Sequence, residues 1–334
     1  MEYLPGKDAE NGVSYTVRDF VEAAQGLLQL EVVVGGKALE HKVEEPIINR
    51  PGLALTGFFA DFAWKRLQVI GNAEAAYLRS MEAAMRLQRL REIAAHKAYV
   101  VVYTNGRRPG ADVMRLARRL DVAMLSTPLD TLEFARHATH VLERLGAPRT
   151  SIYGTMVEVY GLGVLFEGDP GLGKSETALG LIKRGAALIA DDLTCIRKDT
   201  ATNLLFGSAS EATAGFMELR GIGIMHVPSI FGVNALRSEK RLQLVITFKK
   251  LKDIVGEVDR IGQTRKMRTI LGVEVPNIII PVSEGRDLVN LVETAAQQQK
   301  LILSGQDPVT ELSERLHRRS TPSRIDKRRV NKNG

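Results

Sequence analysis

Eight consecutive residues, Gly168, Asp169, Pro170, Gly171, Leu172, Gly173, Lys174 and Ser175, satisfy every fixed position of the pattern G-x-x-x-x-G-K-[ST]. The physical task of that pattern is to cradle a phosphate chain. Its glycines let the backbone curl until successive N–H groups face phosphate oxygens, and the helix that follows adds the positive end of its dipole. Lys174 then meets the outer phosphates. The Ser175 hydroxyl is the expected Mg²⁺ ligand, because Mg²⁺ takes oxygen donors and keeps waters and substrate phosphates in its shell. Seventeen residues beyond Ser175 stands Asp192, directly after Asp191, at the end of the apolar run Leu188-Ile189-Ala190. In phosphoryl transfer one acid holds or orients the metal while another takes the proton of the attacking hydroxyl. Spacing alone does not divide those roles between Asp191 and Asp192. In the block Met217 to Ile224, read as extended, Glu218 and Arg220 share a face because alternate residues of a strand do. Glu218 is therefore a candidate metal ligand, and equally one half of a surface ion pair. Arg260 and Arg286 offer the fixed guanidinium fork that suits phosphate oxygens.

These groups need rigid supports, and the flanking sequence supplies them. Residues 157–167 are apolar and β-prone, and residues 176–184 suit a helix, which gives the strand, glycine loop, helix order that phosphate cradling requires. Further strands are expected at 187–190, 242–248 and 278–282, with closing helices at 288–303 and 309–316. Ahead of this half, residues 15–24 read as a helix capped by Thr16, 73–95 as a helix, and 128–145 as another. Strands at 30–36, 66–70, 98–103 and 122–125 alternate with them. The expected fold class is α/β: a P-loop kinase-like C-terminal domain over residues 151–317, with a separate smaller α/β N-terminal domain over residues 1–145. Residues 146–150 form the expected linker.

Composition narrows the function classes. At 334 residues the chain is long enough for two domains, each with its own core. Its apolar runs fall far short of the ~20 residues that span a bilayer, so no membrane partner is expected. The N-terminus lacks a basic stretch followed by an apolar one, and Cys195 alone allows no internal disulfide. Both features suit a cytoplasmic enzyme. The net charge of +7 suggests a nucleic-acid footprint at first. Its distribution argues against one: seven basic residues and one acid lie in residues 318–334, so nearly all the excess sits in the tail. With almost no apolar residues, the tail is expected to be disordered.

The blocks together resemble the bacterial HPr kinase/phosphorylase family. The phosphate loop and its helix, Lys183-Arg184-Gly185, Ala190-Asp191-Asp192, Glu218 to Ile224, Phe231-Gly232, Asp259-Arg260, Pro281 to Arg286 and Glu293 to Ala296 occur in the family's order. Arg50 to Gly57 and Arg66 to Gly71 extend the resemblance into the first half. It implies a bifunctional enzyme that uses ATP or pyrophosphate to phosphorylate a seryl hydroxyl of the phosphocarrier protein HPr, or a paralogue of it. The reverse activity removes that phosphate with orthophosphate and releases pyrophosphate. Carried onto matching positions, Lys174 is catalytic, Ser175 and Glu218 help bind Mg²⁺, and Arg260 is an active-site arginine. Asp192 is the proton acceptor of phosphorylation and the donor of the reverse step. The resemblance also implies assembly as a hexamer.

Two departures bear on the reverse reaction. The family's catalytic histidine is expected fifteen residues before Gly168, where this chain has Tyr153 between Ile152 and Gly154. A phenol of reference pKa ~10 does not replace an imidazole of ~6.5 as a proton carrier near neutral pH. Glu284 adds negative charge to the segment that the resemblance links to dephosphorylation, opposing anion binding there. Phosphorylation is therefore expected to survive more readily than phosphorolysis. A P-loop kinase with another substrate and a nucleotide-sensing regulator without catalysis are the competing readings.

Overall fold

The computed structural model describes residues 14–254 and 266–320. The chain divides into two compact units, one built on residues up to Arg149 together with Asp199–Thr202, and one on Thr150–Lys198 and the residues from Asn203 onward. Between the last helix of the first unit, Thr131–Gly146, and the strand Arg149–Tyr153, only Ala147 and Pro148 intervene.

In the first unit, five strands lie in the order Glu31–Val34, Ala123–Ser126, Val100–Tyr103, Leu67–Ile70, Ile48–Asn49. The last four run parallel, and Glu31–Val34 is antiparallel to its neighbour. The three inner strands are buried along their whole length, as strands covered on both faces must be. Period-two alternation sorts their side chains. Leu67, Val69, Val100, Val102, Ala123 and Leu125 join the core that contains Phe20 and Phe134 of the helices Val17–Ala23 and Thr131–Gly146. Ile70, Val101, Tyr103 and Met124 join a second core with the helices Ala83–Ala95 and Ala111–Leu120. Thr16 does cap the first helix, in a reciprocal box with Asp19.

The helix expected over 73–95 is two helices, Asn72–Ser80 and Ala83–Ala95. The Ser80 hydroxyl turns back onto the Tyr77 carbonyl at 2.8 Å, and Met81 adopts an extended conformation that packs it against the second core. Side chain to backbone bonding of this kind competes with helix propagation.

Among the described residues the second unit is built on a nine-stranded sheet. Its centre is the strand Leu162–Glu167, parallel to Glu239–Lys250, which is parallel in turn to Val273–Val282. The run 157–167, read as one extended stretch, is a hairpin. Tyr160 and Gly161 both take positive φ, +51° and +85°, as a tight two-residue turn of matching twist demands. Helices Lys174–Lys183 and Leu288–Leu303 cover one face through Leu181, Ile182, Val292 and Ala296, over a core that holds Phe166 and Phe248.

The helix expected over 309–316 runs from Pro308 to Ser320, so the first three residues of the expected disordered tail are helical. Asp307 begins it, accepting from the Val309 N–H at 3.1 Å and from the Thr310 hydroxyl at 2.8 Å, and the Arg315–Glu311 ion pair spans one turn. Residues 321–334 lie outside the described residues. Among the described residues no helix is long and apolar enough to cross a membrane.

Candidate active site around the phosphate loop

The loop leaves the buried strand Leu162–Glu167 and enters the helix Lys174–Lys183. Gly168 has φ +140°, and a β-carbon there would stand 2.5 Å from the Phe248 carbonyl oxygen, so no other residue fits without moving the neighbouring strand. The Lys174 ammonium donates to the carbonyls of Gly168 at 2.8 Å and Asp169 at 3.1 Å. Two of its three donors brace the loop and one remains for a phosphate oxygen.

Asp191 is the buried centre of the site. Its Oδ1 accepts from the Thr155 hydroxyl at 2.7 Å and from the Ser175 hydroxyl at 3.0 Å, and its Oδ2 accepts from the Glu218 N–H at 3.2 Å. Burial pushes its pKa above the ordinary aspartate value, and the charge of Asp192 adds to this. The Thr155, Glu218 and Ser175 hydrogen bonds oppose both without cancelling them. Asp192, one residue on, is exposed and has φ +59°, a left-handed conformation that aspartate tolerates better than most residues. Its carbonyl accepts from the Gly154 N–H at 2.9 Å, and the Thr194 hydroxyl donates to the Gly154 carbonyl at 2.8 Å. These bonds tie the backbone beside Tyr153 to the aspartate pair. Tyr153 itself is 68 % exposed.

Glu218 lies on a hairpin, Phe216–Leu219 paired with Gly223–His226. This corrects one expectation: Met217 to Ile224 is not a single extended segment, and Arg220 sits in the turn rather than on the face of Glu218. The turn carries the Arg220 guanidinium over the loop, 3.0 Å from where a β-carbon of Gly171 would stand. Leu288, two residues beyond the segment Pro281 to Arg286, packs 3.6 Å from the β-carbon position of Gly173. Arg260 lies outside the described residues.

The structure thus brings together the loop, Ser175, the aspartate pair, the Glu218 hairpin and, through Gly154, the neighbourhood of Tyr153. Sequence reasoning missed Thr155 and the placement of Arg220. Nothing in the spacing of Thr155 marks it, whereas the Gly221 and Gly223 that bracket a turn were a legible signal for Arg220.

Among the described residues no group of three or more His, Cys, Asp or Glu is arranged to cage a metal ion. The donors present are oxygens: the Ser175 hydroxyl, the Asp191 carboxylate bonded to it, and the exposed Glu218 carboxylate on the adjoining hairpin. A few protein oxygens beside a phosphate loop fit Mg²⁺, which fills its shell with water and substrate phosphates rather than a complete protein cage.

Comparison with known proteins bears on what this site is. Residues 15–142 match the family model described as "HPr Serine kinase N terminus", and residues 144–316 match "HPr Serine kinase C-terminal domain". An HPr kinase/phosphorylase of Leptospira biflexa is 38 % identical over 291 residues, 87 % of this chain and 90 % of that protein. One of Geobacter sulfurreducens is 35 % identical over 306 residues, 92 % of this chain and 95 % of that protein. The structure titled Hpr(Ser) kinase/phosphatase from Coxiella burnetii aligns with a TM-score of 0.45 and 30 % identity, covering 50 % of this chain and 98 % of that one. With both units matched in order and relatives aligned along nearly their whole length, the chain belongs to the HPr kinase/phosphorylase family of enzymes.

Proposed function

We propose that this chain is a Mg²⁺-dependent protein-serine kinase that transfers a phosphoryl group from ATP or pyrophosphate to a seryl hydroxyl of the phosphocarrier protein HPr or a paralogue, with phosphorolysis as a weaker reverse activity. The observation that carries it is the unequal state of the two aspartates. Asp191 is buried and bonded to Ser175, while Asp192 is exposed beside it.

Ser175 and Asp191, with Glu218, hold Mg²⁺, which neutralises charge on the donor phosphates when bound. The loop N–H groups and Lys174 grip the phosphate chain, and Arg220 and Arg260 supply positive charge where negative charge builds up in the transition state. Asp192 accepts the seryl proton as the serine oxygen attacks phosphorus. The bond to the leaving phosphate breaks, and ADP or orthophosphate departs. In reverse, an orthophosphate oxygen attacks the seryl phosphate and Asp192 returns the proton to the leaving serine oxygen, giving pyrophosphate. With a tyrosine in place of an imidazole at position 153, the forward direction dominates.

A protein substrate is favoured over a small one by the apolar surface at the site. Phe216, Ile222 and Ile224 of the Glu218 hairpin are exposed, as are Ile230 and Val233 just after it. Exposed apolar groups in one place mark an interaction surface. On this reading the enzyme works in the cytoplasm as a homo-oligomer, a hexamer by family relationship. The experiment is transfer of labelled phosphate from ATP to purified HPr in the presence of Mg²⁺. Label on a seryl residue supports the proposal, and nucleotide binding without transfer to any phosphocarrier would refute it.

A further inference from the structure

A cavity of about 660 Å³ lies within the first unit, and every residue lining it belongs to that unit. Its floor is one face of the parallel sheet, with Ile70, Tyr103 and Met124, and its opposite wall is made by Leu78, Leu90 and Ile93 of the two helices Asn72–Ser80 and Ala83–Ala95. The cavity is open to solvent on one side, with the exposed residues Arg79, Gly106, Arg108 and Gly110 at its mouth. It falls in the range of small-molecule sites. Ile70 and Tyr103 are the last residues of their strands, so the cavity opens at the carboxyl ends of a parallel sheet, where ligands of α/β folds bind.

Its chemistry is one-sided. Five arginines line it, Arg79, Arg86, Arg89, Arg107 and Arg108, and no aspartate or glutamate does. Three are held by acids outside the lining: Arg86 by Asp112 at 2.9 Å, Arg89 by Glu92 at 2.5 Å, and Arg108 by Glu31. Among the described residues Arg107 donates to the Asn72 side-chain oxygen at 2.9 Å and has no acid partner, and the Arg79 side chain makes no hydrogen bond or ion pair. One buried donor of the lining also lacks a partner. It is the Arg89 Nε, shielded from water and unbonded, whereas the Tyr103 hydroxyl, which makes no hydrogen bond among the described residues, is not shielded in this way.

We propose that this cavity is a second ligand site, for a small phosphate ester with an apolar body. The phosphate sits between Arg79 and Arg107, whose guanidinium forks match its oxygens. The body lies on Ile70, Tyr103 and Leu90, with the Tyr103 hydroxyl donating to the ester. The cavity takes no part in the chemistry at the phosphate loop, so the inference stands apart from the reading of that site.

Phenyl phosphate is the probe that carries both features, with inorganic phosphate and benzyl alcohol carrying one each. Calorimetric titration is made on the full chain with Mg²⁺ and a non-hydrolysable ATP analogue saturating the phosphate loop. The expected result is saturable phenyl phosphate binding at least about tenfold tighter than either fragment, weakened at least about tenfold by Arg79→Glu. Arg79 is exposed and unpartnered, so that variant keeps the thermal unfolding profile of the parent. Tyr103→Phe weakens binding a further few-fold and serves as the independent variant, since it preserves shape. Absence of binding, loss of binding on adding the ATP analogue, or binding indifferent to both Arg79→Glu and Tyr103→Phe would overturn the proposal.

Discussion

The Ser175 hydroxyl donates to Asp191 across 3.0 Å, joining the first turn of the helix after the phosphate loop to the end of the adjacent strand. Asp191 is held by two further donors and faces inward, so the neighbouring carboxylate at Asp192 is the one free to meet a substrate. The two substitutions should therefore separate. Asp192→Asn is expected to lower kcat by about 10²–10⁴-fold with the Mg²⁺ requirement unchanged. Asp191→Asn should instead raise the Mg²⁺ concentration needed for half-maximal rate. Because burial raises the Asp191 pKa, its ionised form is lost on acidification sooner than an ordinary aspartate's, so the wild-type Mg²⁺ requirement should rise as pH falls toward that range. Steady-state rates across Mg²⁺ and pH check this. Identical behaviour of the two variants would contradict the division of roles.

Tyr153 tests the balance of directions. Tyr153→His restores a group that titrates near neutrality, next to a backbone bonded to Asp192 through Gly154. The ratio of phosphorolysis to phosphorylation should rise at least about tenfold. Measuring both rates on one preparation settles the point, since an unchanged ratio removes the phenol as the cause of a weak reverse reaction.

Gly168→Ala probes the loop's geometry rather than its chemistry. The added methyl would meet the Phe248 carbonyl oxygen at 2.5 Å from a backbone at φ +140°. The loop or the strand behind it must shift, at a cost of about 1–3 kcal/mol. Nucleotide affinity should fall and the melting temperature with it. An alanine variant with parent affinity would show that the loop does not need the conformation described.

Glu74 offers a pH-dependent test of the first unit. Burial pushes its carboxyl up, but the hydrogen bond and charge from Arg50 and the backbone N–H groups at Gly71 and Glu74 outweigh burial and hold its pKa below the usual glutamate value. A depressed folded-state pKa gives stability that is present above the unfolded value of ~4.3 and lost as pH falls through the folded value. Glu74→Gln should cost about 1–2 kcal/mol at pH 7 and flatten that acid-side loss. Denaturant titrations followed by Trp64, the chain's single tryptophan, report it. Parent-like acid sensitivity in the variant would exclude Glu74 as its source.

The loop, its strand and its helix were legible because glycine, lysine and serine at fixed spacing have a single mechanical use. The aspartate pair was legible as a pair, but its division of labour was not. Burial of Asp191 depends on Thr155 and on the Glu218 backbone, both distant in sequence, and no spacing encodes that meeting. The break at Met81 was missed because neither proline nor glycine marks it. The turn at Arg220 was misread because strand alternation was extended across two glycines that instead close a hairpin. The cavity of the first unit was invisible to sequence reading, since its arginines lie on three separate stretches that only the folded sheet brings to one rim.

The central claim is that this site moves a phosphoryl group onto a protein seryl hydroxyl. The measurement that tests it most directly is transfer of labelled phosphate from ATP to purified HPr with Mg²⁺, run beside Lys174→Ala, followed by exposure of the product to orthophosphate with pyrophosphate monitored. The account predicts seryl phosphorylation by the parent, its loss in Lys174→Ala, and pyrophosphate release slower than the forward step. Nucleotide binding with no transfer, or equal transfer by parent and Lys174→Ala, would contradict it.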